Sequence, residues 1–216
     1  MNRPTLALAM IVKNEMRNLP LLLESVRDCF DEIHITDTGS TDGTIDYLKG
    51  DLAKSLANAP IFVHHFTWID DFAAARNYSF SHVKTDFVMW MDGDDVLQDR
   101  EHFLLWRDNA MAFADFWLAK YIYASDKDGA PQIAFARERV FELKGQPKWD
   151  YFVHEGVKPW ETTQASYAGT WCVLHKRTEA DQLADRSRNL KLFEKNKDKL
   201  DARLKFYYGK ELYENK

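Results

Sequence analysis

The chain has 216 residues, of which 45% are hydrophobic, 14% aromatic and 29% charged, with a formal net charge of −5. That composition supports one folded domain with room for a small appendage, and the acidic balance gives no electrostatic drive toward nucleic acid or an anionic membrane surface. The two cysteines, Cys29 and Cys172, form no CxxC pair, so zinc and redox motifs are absent and two reduced, buried thiols of a cytoplasmic protein are expected.

Residues 5–12 are short, apolar and unbroken, which fits a strand covered on both faces. They look briefly like a signal peptide, but they run into Lys13-Asn14-Glu15 instead of a small-residue cleavage site. No segment approaches the roughly 20 apolar residues needed to span a bilayer, although peripheral membrane contact stays compatible with the sequence. Asn18 and Pro20 then start a helix, with Leu19, Leu22, Leu23, Val26 and Phe30 as its apolar stripe. Residues 33–36 form a second strand. After a polar turn, Ile45, Leu48, Leu52 and Leu56 mark one face of a second helix. Residues 61–63 are a third strand, 72–83 a helix and 87–91 a fourth strand. This alternation predicts βαβ units and a largely parallel sheet.

Beyond Asp95 the pattern changes. Residues 103–113 read as a helix. Aromatic and β-branched runs follow at 116–123, 133–135, 140–143 and 170–174, punctuated by turns at Gly129-Ala130-Pro131 and Gly145-Gln146-Pro147. Some of these strands should be antiparallel. From Glu179 onward the chain is charged and helical in character.

In open parallel sheets, ligands bind beyond the carboxyl ends of the strands. Here those ends carry Lys13-Asn14-Glu15, the run DTGSTDGT at 37–44, Trp68 with Asp70 and Asp71, and DGDD at 92–95. In DTGSTDGT, Gly39 and Gly43 permit a tight turn, and Thr41 or Asp42 can cap a helix. Its glycines are one position too close for a Walker A loop and no lysine follows. Thr41 stands where a dinucleotide fingerprint needs glycine. Asp37 is left as a strand-end acceptor for a base N–H or a ribose hydroxyl. DGDD lacks the later ligands of an EF-hand, because Val96 and Leu97 occupy those positions. Three carboxylates so close repel one another unless a cation offsets them, and oxygen ligands favour Mg²⁺ or Mn²⁺. Gly93 leaves space for a bulky group to approach.

AMIVKNE, the first helical stripe, DEIHITDTGSTDGT, WIDDFAAARN and MWMDGDD come in this order over about the first hundred residues. Together they resemble a family 2 glycosyltransferase of the GT-A fold. VHEG at 153–156 and VLHKR at 173–177 resemble weaker signatures of that family, and LKFYYGKELYENK resembles the start of a helical extension. The resemblance implies an α/β, Rossmann-like, mostly parallel sheet flanked by helices, with mixed strands in the second half and a helical tail. The division expected is a transferase domain over 1–178, with a nucleotide-binding half at 1–95 and an acceptor-side half at 96–178, followed by the extension at 179–216.

The implied activity is metal-dependent, inverting transfer of a sugar from a nucleotide-diphosphate donor, UDP foremost, to a hydroxyl of a glycan, lipid-linked or protein acceptor. Mn²⁺ or Mg²⁺ is the implied cofactor. By the same similarity Glu15 and Asp37 hold the nucleoside, with Asn14, Gly39, Ser40 and Asp42 in the nucleotide-sugar-binding set, and Lys13 adds charge near the phosphates or sugar. Asp92 faces ribose or metal, Gly93 lies beside the donor, and Asp94 ligates the metal. Asp95 is expected in the catalytic set, directed to the donor sugar or to a neighbouring cation. Arg76 adds charge near the phosphates or sugar, the alternative being a surface arginine of its helix.

The acceptor hydroxyl needs a base, for which Glu155 is preferred over Asp150. His175 is the preferred additional metal ligand, ahead of His154. His64 and His65 read as structural, and Trp149 and Trp160 either stack on a sugar or pack. Two rivals remain open. A nucleotidyltransferase would carry a glycine-rich basic loop where VKNEMRN stands. A non-catalytic sugar-binding homologue is disfavoured by the intact DGDD and Glu155.

Overall fold

The computed structural model describes residues 3–158, 164–176 and 179–214, and the side chains of 179–186 lie outside that description. In chain order the elements are β1 (Leu6–Val12), α1 (Leu19–Ser25), β2 (Glu32–Asp37), α2 (Thr44–Lys49), α3 (Asp51–Ala57), β3 (Ile61–His65), α4 (Phe72–Ser81), β4 (Phe87–Trp90) and β5 (Asp95–Gln98). They continue with α5 (Arg100–Asn109), β6 (Phe116–Ser125), β7 (Pro131–Glu142), β8 (Lys148–Asp150), β9 (Gly156–Lys158), β10 (Ala165–His175), α6 (Glu179–Lys195) and α7 (Ala202–Glu214).

One sheet of eight strands carries the fold in the order β3-β2-β1-β4-β7-β6-β10-β5, and β8 pairs with β9 apart from it. The first four strands are mutually parallel; β4–β7, β7–β6 and β10–β5 are antiparallel. This is the mixed second half that the sequence predicts. The chain leaves β1 toward β2 and β3, then returns to place β4 on the other flank of β1. That reversal makes β1–β4 the topological switch point, where a crevice opens beyond the strand ends.

β1 explains its own burial. Leu6, Leu8, Met10 and Val12 enter one core with α1 residues Leu19, Leu22 and Leu23. Ala7 and Ala9, on the alternate face, enter a second core with Ala73, Phe80, Trp90 and Trp149. The small alanines let α4 lie close to the sheet. A third core joins Leu192, Phe193 and Leu204 of α6 and α7 to Val153, so the helical extension is packed against the segment that carries VHEG. Among the described residues no helix is long and apolar enough to cross a membrane.

Several expectations need correction. The single helix through Ile45, Leu48, Leu52 and Leu56 is two helices, because Gly50 adopts an extended ψ of 159°. The break resets the helical phase, and Leu52 is left 63% exposed. The runs at 133–135 and 140–143 are parts of one strand, β7. The short strand β5 starts inside the DGDD run, where the charges conceal it, and β8 and β9 also escape the sequence pattern. Trp160 and Arg177 lie outside the described residues.

Candidate active site

The loops after β1 and β2 are joined to each other at the switch point. Asn14 has φ 59°, and its Oδ1 accepts from Thr41 N at 2.7 Å, while Asn14 N donates to Ser40 Oγ at 2.8 Å. Glu15 N donates to Thr44 Oγ1 at 2.9 Å and Met16 N to Asp42 Oδ2 at 3.1 Å. Asn14, Ser40 and Asp42 therefore build the loops here. Asp37, buried at the end of β2, accepts from Gly39 N at 2.9 Å and Ser40 N at 3.2 Å. Gly39 meets that turn with φ 112°. Lys13 is exposed beside this pair of loops.

The loop after β4 approaches from the opposite side. A Cβ on Gly93 would stand 2.5 Å from Glu15 Cγ and 2.7 Å from its Cδ. Glycine at 93 is thus required by the close approach of Glu15, which lies across the switch point.

Beyond Gly93 the carboxylates take different surroundings. Asp94, Asp95 and His175 each offer a ligand atom, and these atoms lie within 4.8 Å of one another. The β10–β5 register sets Asp95 opposite His175, and Lys176 N donates to Asp94 O at 2.8 Å, fixing the DGDD loop against the end of β10. His175 Nδ1 lies 3.1 Å from Asp95 Oδ1 and 3.5 Å from Asp94 Oδ1. Its Nε2 is buried without a hydrogen-bond partner among the described residues. Burial pushes Asp94 up to about 7; His175 opposes that rise, and the charges of Asp92, Asp95 and Glu15 add to it. Burial lowers the His175 pKa, but its bond to Asp95 and the charges of Asp94, Asp95 and Asp92 raise it further, for a net upward shift. Crowded acids, an orphaned imidazole nitrogen and oxygen-rich surroundings fit a divalent cation.

Asp95 departs from the expectation of a group directed at the donor sugar. It is 0% exposed and has four partners: Tyr121 OH, which donates at 3.1 Å, Arg139 Nη1 at 3.1 Å, Asp92 N at 3.0 Å and the imidazole of His175. A carboxylate offers about four acceptor sites, so Asp95 is saturated, and the neighbouring cation it meets is Arg139. Asp95 thus lies beside Asp94 and His175 with its acceptor sites already taken.

Arg76 is buried, not a surface arginine. Its Nη2 donates to Asp92 Oδ1 and its Nε to Glu155 Oε1, both at 2.7 Å. The guanidinium lies 4.5 Å from the Trp90 ring centroid and 5.0 Å from that of Trp149. Burial acts to raise the Asp92 pKa, but Arg76 overrules it, aided by Arg139 and His175, and holds that carboxyl well below its ordinary range. Asp92 is therefore engaged by Arg76 and does not enter the Asp94–His175 cluster. Glu155 is 8% exposed. Asp150, the alternative base, pairs instead with Lys158 at 2.5 Å. His154 pairs with Glu211 at 3.2 Å and stacks on Tyr207, so its ring belongs to the contacts with α7. Trp149 is buried core in the Phe80–Trp90 group.

Two cavities are notable. The larger, about 710 Å³, lies between α4, β8 and the C-terminal helices and touches neither DGDD nor Glu155. The smaller, about 210 Å³, is lined by Arg17, Asn18, Leu21, Asp94, Asp95, Val96 and Lys176. The chemistry selects the smaller, which is lined by Asp94 and Asp95. Arg17, Lys176, Tyr121 and Arg139 escape the sequence reading.

The fold is shared with solved structures. A mannosyltransferase, PcManGT, from Pyrobaculum calidifontis, in complex with GDP-Man and Mn²⁺, matches 94% of this chain and 66% of its own, at 15% identity and a TM-score of 0.63. S. aureus TarS 1–349 in complex with UDP-GlcNAc matches 87% of this chain and 65% of its own, at 17% identity and a TM-score of 0.57. Fold and site together define a GT-A scaffold. The profile of Glycosyl transferase family 2 matches residues 8–196, and the chain belongs to that family. Glycosyltransferase SunS, from the SPbeta prophage of Bacillus subtilis (strain 168), is 26% identical over 159 residues, which cover 70% of this chain. A TPR repeat-containing protein of Synechococcus elongatus is 38% identical over 91 residues, covering 42% of this chain and 21% of its own. The chain spans 34% of the length of SunS.

Proposed function

We propose that this chain transfers a sugar from a nucleotide-diphosphate donor to an acceptor hydroxyl with inversion at the anomeric carbon. The observation that carries the reading is the meeting of Asp94 and His175 beside the β1–β4 switch point, with a buried, unpartnered Nε2. The family supports a glycosyl transfer, and the nucleotide sugars held by the two solved neighbours support the donor class. UDP is favoured because Asp37, already shaped by two backbone N–H groups, suits the N–H of uracil. Glu15 faces the same crevice across Gly93 and would hold the ribose.

Asp94 and His175 would hold the metal, and Asp95 would keep the imidazole in one orientation. A bound Mn²⁺ or Mg²⁺ supplies positive charge against a departing diphosphate. Arg17 and Lys176 add fixed positive charge on the same side. Glu155 takes the proton from the acceptor hydroxyl on the face opposite the leaving group, and Arg76 holds its carboxylate in place.

A thermal-shift panel of UDP-glucose, UDP-GlcNAc and GDP-mannose, with and without Mn²⁺, tests the reading. One donor should stabilise the chain only with metal, and Asp94→Ala should abolish the effect. Equal stabilisation of wild type and Asp94→Ala would sink the metal assignment.

A further inference from the structure

The strands β6 and β7 form a hairpin that turns at residues 126–130. In the sheet, Leu174 is opposite Ile122 across β10–β6, so the end of β6 flanks His175. Tyr121 and Tyr123 are two residues apart on β6 and share a face. Tyr121 stays inside, donating to Asp95. Tyr123 is one step further out, stacked on the His175 ring with centroids 5.3 Å apart and planes 13° apart. Phe135 on β7 completes the group, with its centroid 6.2 Å from Tyr123 and 5.6 Å from Tyr121. Tyr123 is 38% exposed and Phe135 44%. These rings have packing partners on one side and solvent on the other.

We infer that Tyr123 and Phe135 form the acceptor subsite, a stacking platform for the pyranose ring of a saccharide acceptor. The inference rests on the glycosyl-transfer reading above and names the acceptor class for that same site. The argument is continuity: one face of Tyr123 is stacked on His175, so a ring seated on its open face lies one tyrosine ring beyond the candidate cation site. A saccharide has a C–H face that suits an aromatic ring and hydroxyls that need polar partners at its edge. Asp94, beside His175, and Arg137, whose Nη2 donates to Glu155 O at 3.3 Å, supply polar groups around the platform. A purely apolar peptide or lipid segment laid there would desolvate those charges without pairing them.

Saturation-transfer NMR on the full chain with Mg²⁺ tests the inference, using cellobiose, maltose, mannobiose, lactose and N,N′-diacetylchitobiose as probes. At least one saccharide should show transfer to the C–H protons of one ring face. Its Kd should rise about tenfold in Tyr123→Ala and in Phe135→Ala, and Tyr123→Phe should keep it near wild type. Unchanged binding in both alanine variants overturns the platform, as does the absence of binding by every saccharide in the set. Binding of a leucine-rich peptide on these residues in place of the saccharides overturns it too. Thermal shifts with the nucleotide sugars, run on the same samples, report separately on the donor site. Saccharide binding without any donor response would keep the platform and sink the transfer reading, whereas a donor response with unaffected variants would sink the platform alone.

Discussion

Arg76 Nε donates to Glu155 Oε1 across 2.7 Å, joining residues 79 positions apart in the chain. The same guanidinium holds Asp92, so one buried cation sets the positions of a candidate base and of the first aspartate of DGDD. Removing one member of a buried ion pair leaves the others uncompensated. Arg76→Ala should therefore lower stability by about 3–5 kcal/mol in urea denaturation. Arg76→Lys keeps the charge but loses the planar fork that reaches both partners, and transfer should fall even where the fold survives. A stability loss under about 1 kcal/mol for Arg76→Ala would mean that the two bonds contribute little.

Gly93 and Glu15 make a second test. In Gly93→Ala the new methyl collides with the Glu15 side chain. The overpacking should cost roughly 1–3 kcal/mol and weaken donor binding by displacing Glu15. Combining Gly93→Ala with Glu15→Ala should return most of the stability and none of the binding. Thermal unfolding with and without UDP separates the two effects. Additive stability losses in the double variant would show that the two side chains do not clash.

The cation site predicts a graded response in isothermal titration with Mn²⁺. His175→Ala removes a proposed ligand and should abolish the high-affinity isotherm. Asp95→Asn removes the carboxylate that orients His175 and should weaken Mn²⁺ binding by roughly 10–100-fold. If both variants bind Mn²⁺ like wild type, the ion is held elsewhere.

A histidine stack between β2, β3 and the C-terminal cap of α4 gives a pH signature. His34 Nδ1 lies 3.0 Å from His64 Nε2, and the His64 ring stacks on His82 at 3.9 Å. Burial, followed by His82, His34 and His65, pushes His64 down to about 4 from an ordinary 6.5. The unfolded chain then takes up the proton first as pH falls. The His64 contribution is complete above about pH 6.5 and is lost progressively toward pH 4. With solvent screening, the loss should be on the order of 1 kcal/mol. Urea midpoints across that window measure it, and His64→Gln should flatten the slope. An unchanged slope in that variant would remove the stack from the account.

The sequence made the strand ends legible because each apolar run stops at turn-forming polar residues, and the loops after β1, β2 and β4 meet at the switch point, whereas Asp70 and Asp71 after β3 line the larger cavity. It was legible that Glu15, Asp94 and His175 belong to that end of the sheet. The division of labour within DGDD was not. Asp94 and Asp95 are neighbours in the chain, yet Asp95 already belongs to β5 and turns inward to Arg139. That outcome depends on strand register, which pattern alone does not give. Arg139 stands in an Arg-Glu-Arg stretch that falls between the runs read as strands, and the antiparallel pairing of β7 with β4 carries it beneath Trp90. Tyr123 and Phe135 read as ordinary strand aromatics until the hairpin brings them to His175.

The ladder between β10 and β5 sets His175 opposite Asp95, so the spacing of this pair is stored in main-chain pairing. The loops that join the intervening strands can lengthen or shorten without disturbing that spacing, as long as β6 and β7 keep Tyr121 and Arg139 on Asp95. A single residue inserted within β10 would instead turn His175 to the opposite face. Related chains that keep this ladder would keep the Asp95–His175 spacing whatever loops join the strands.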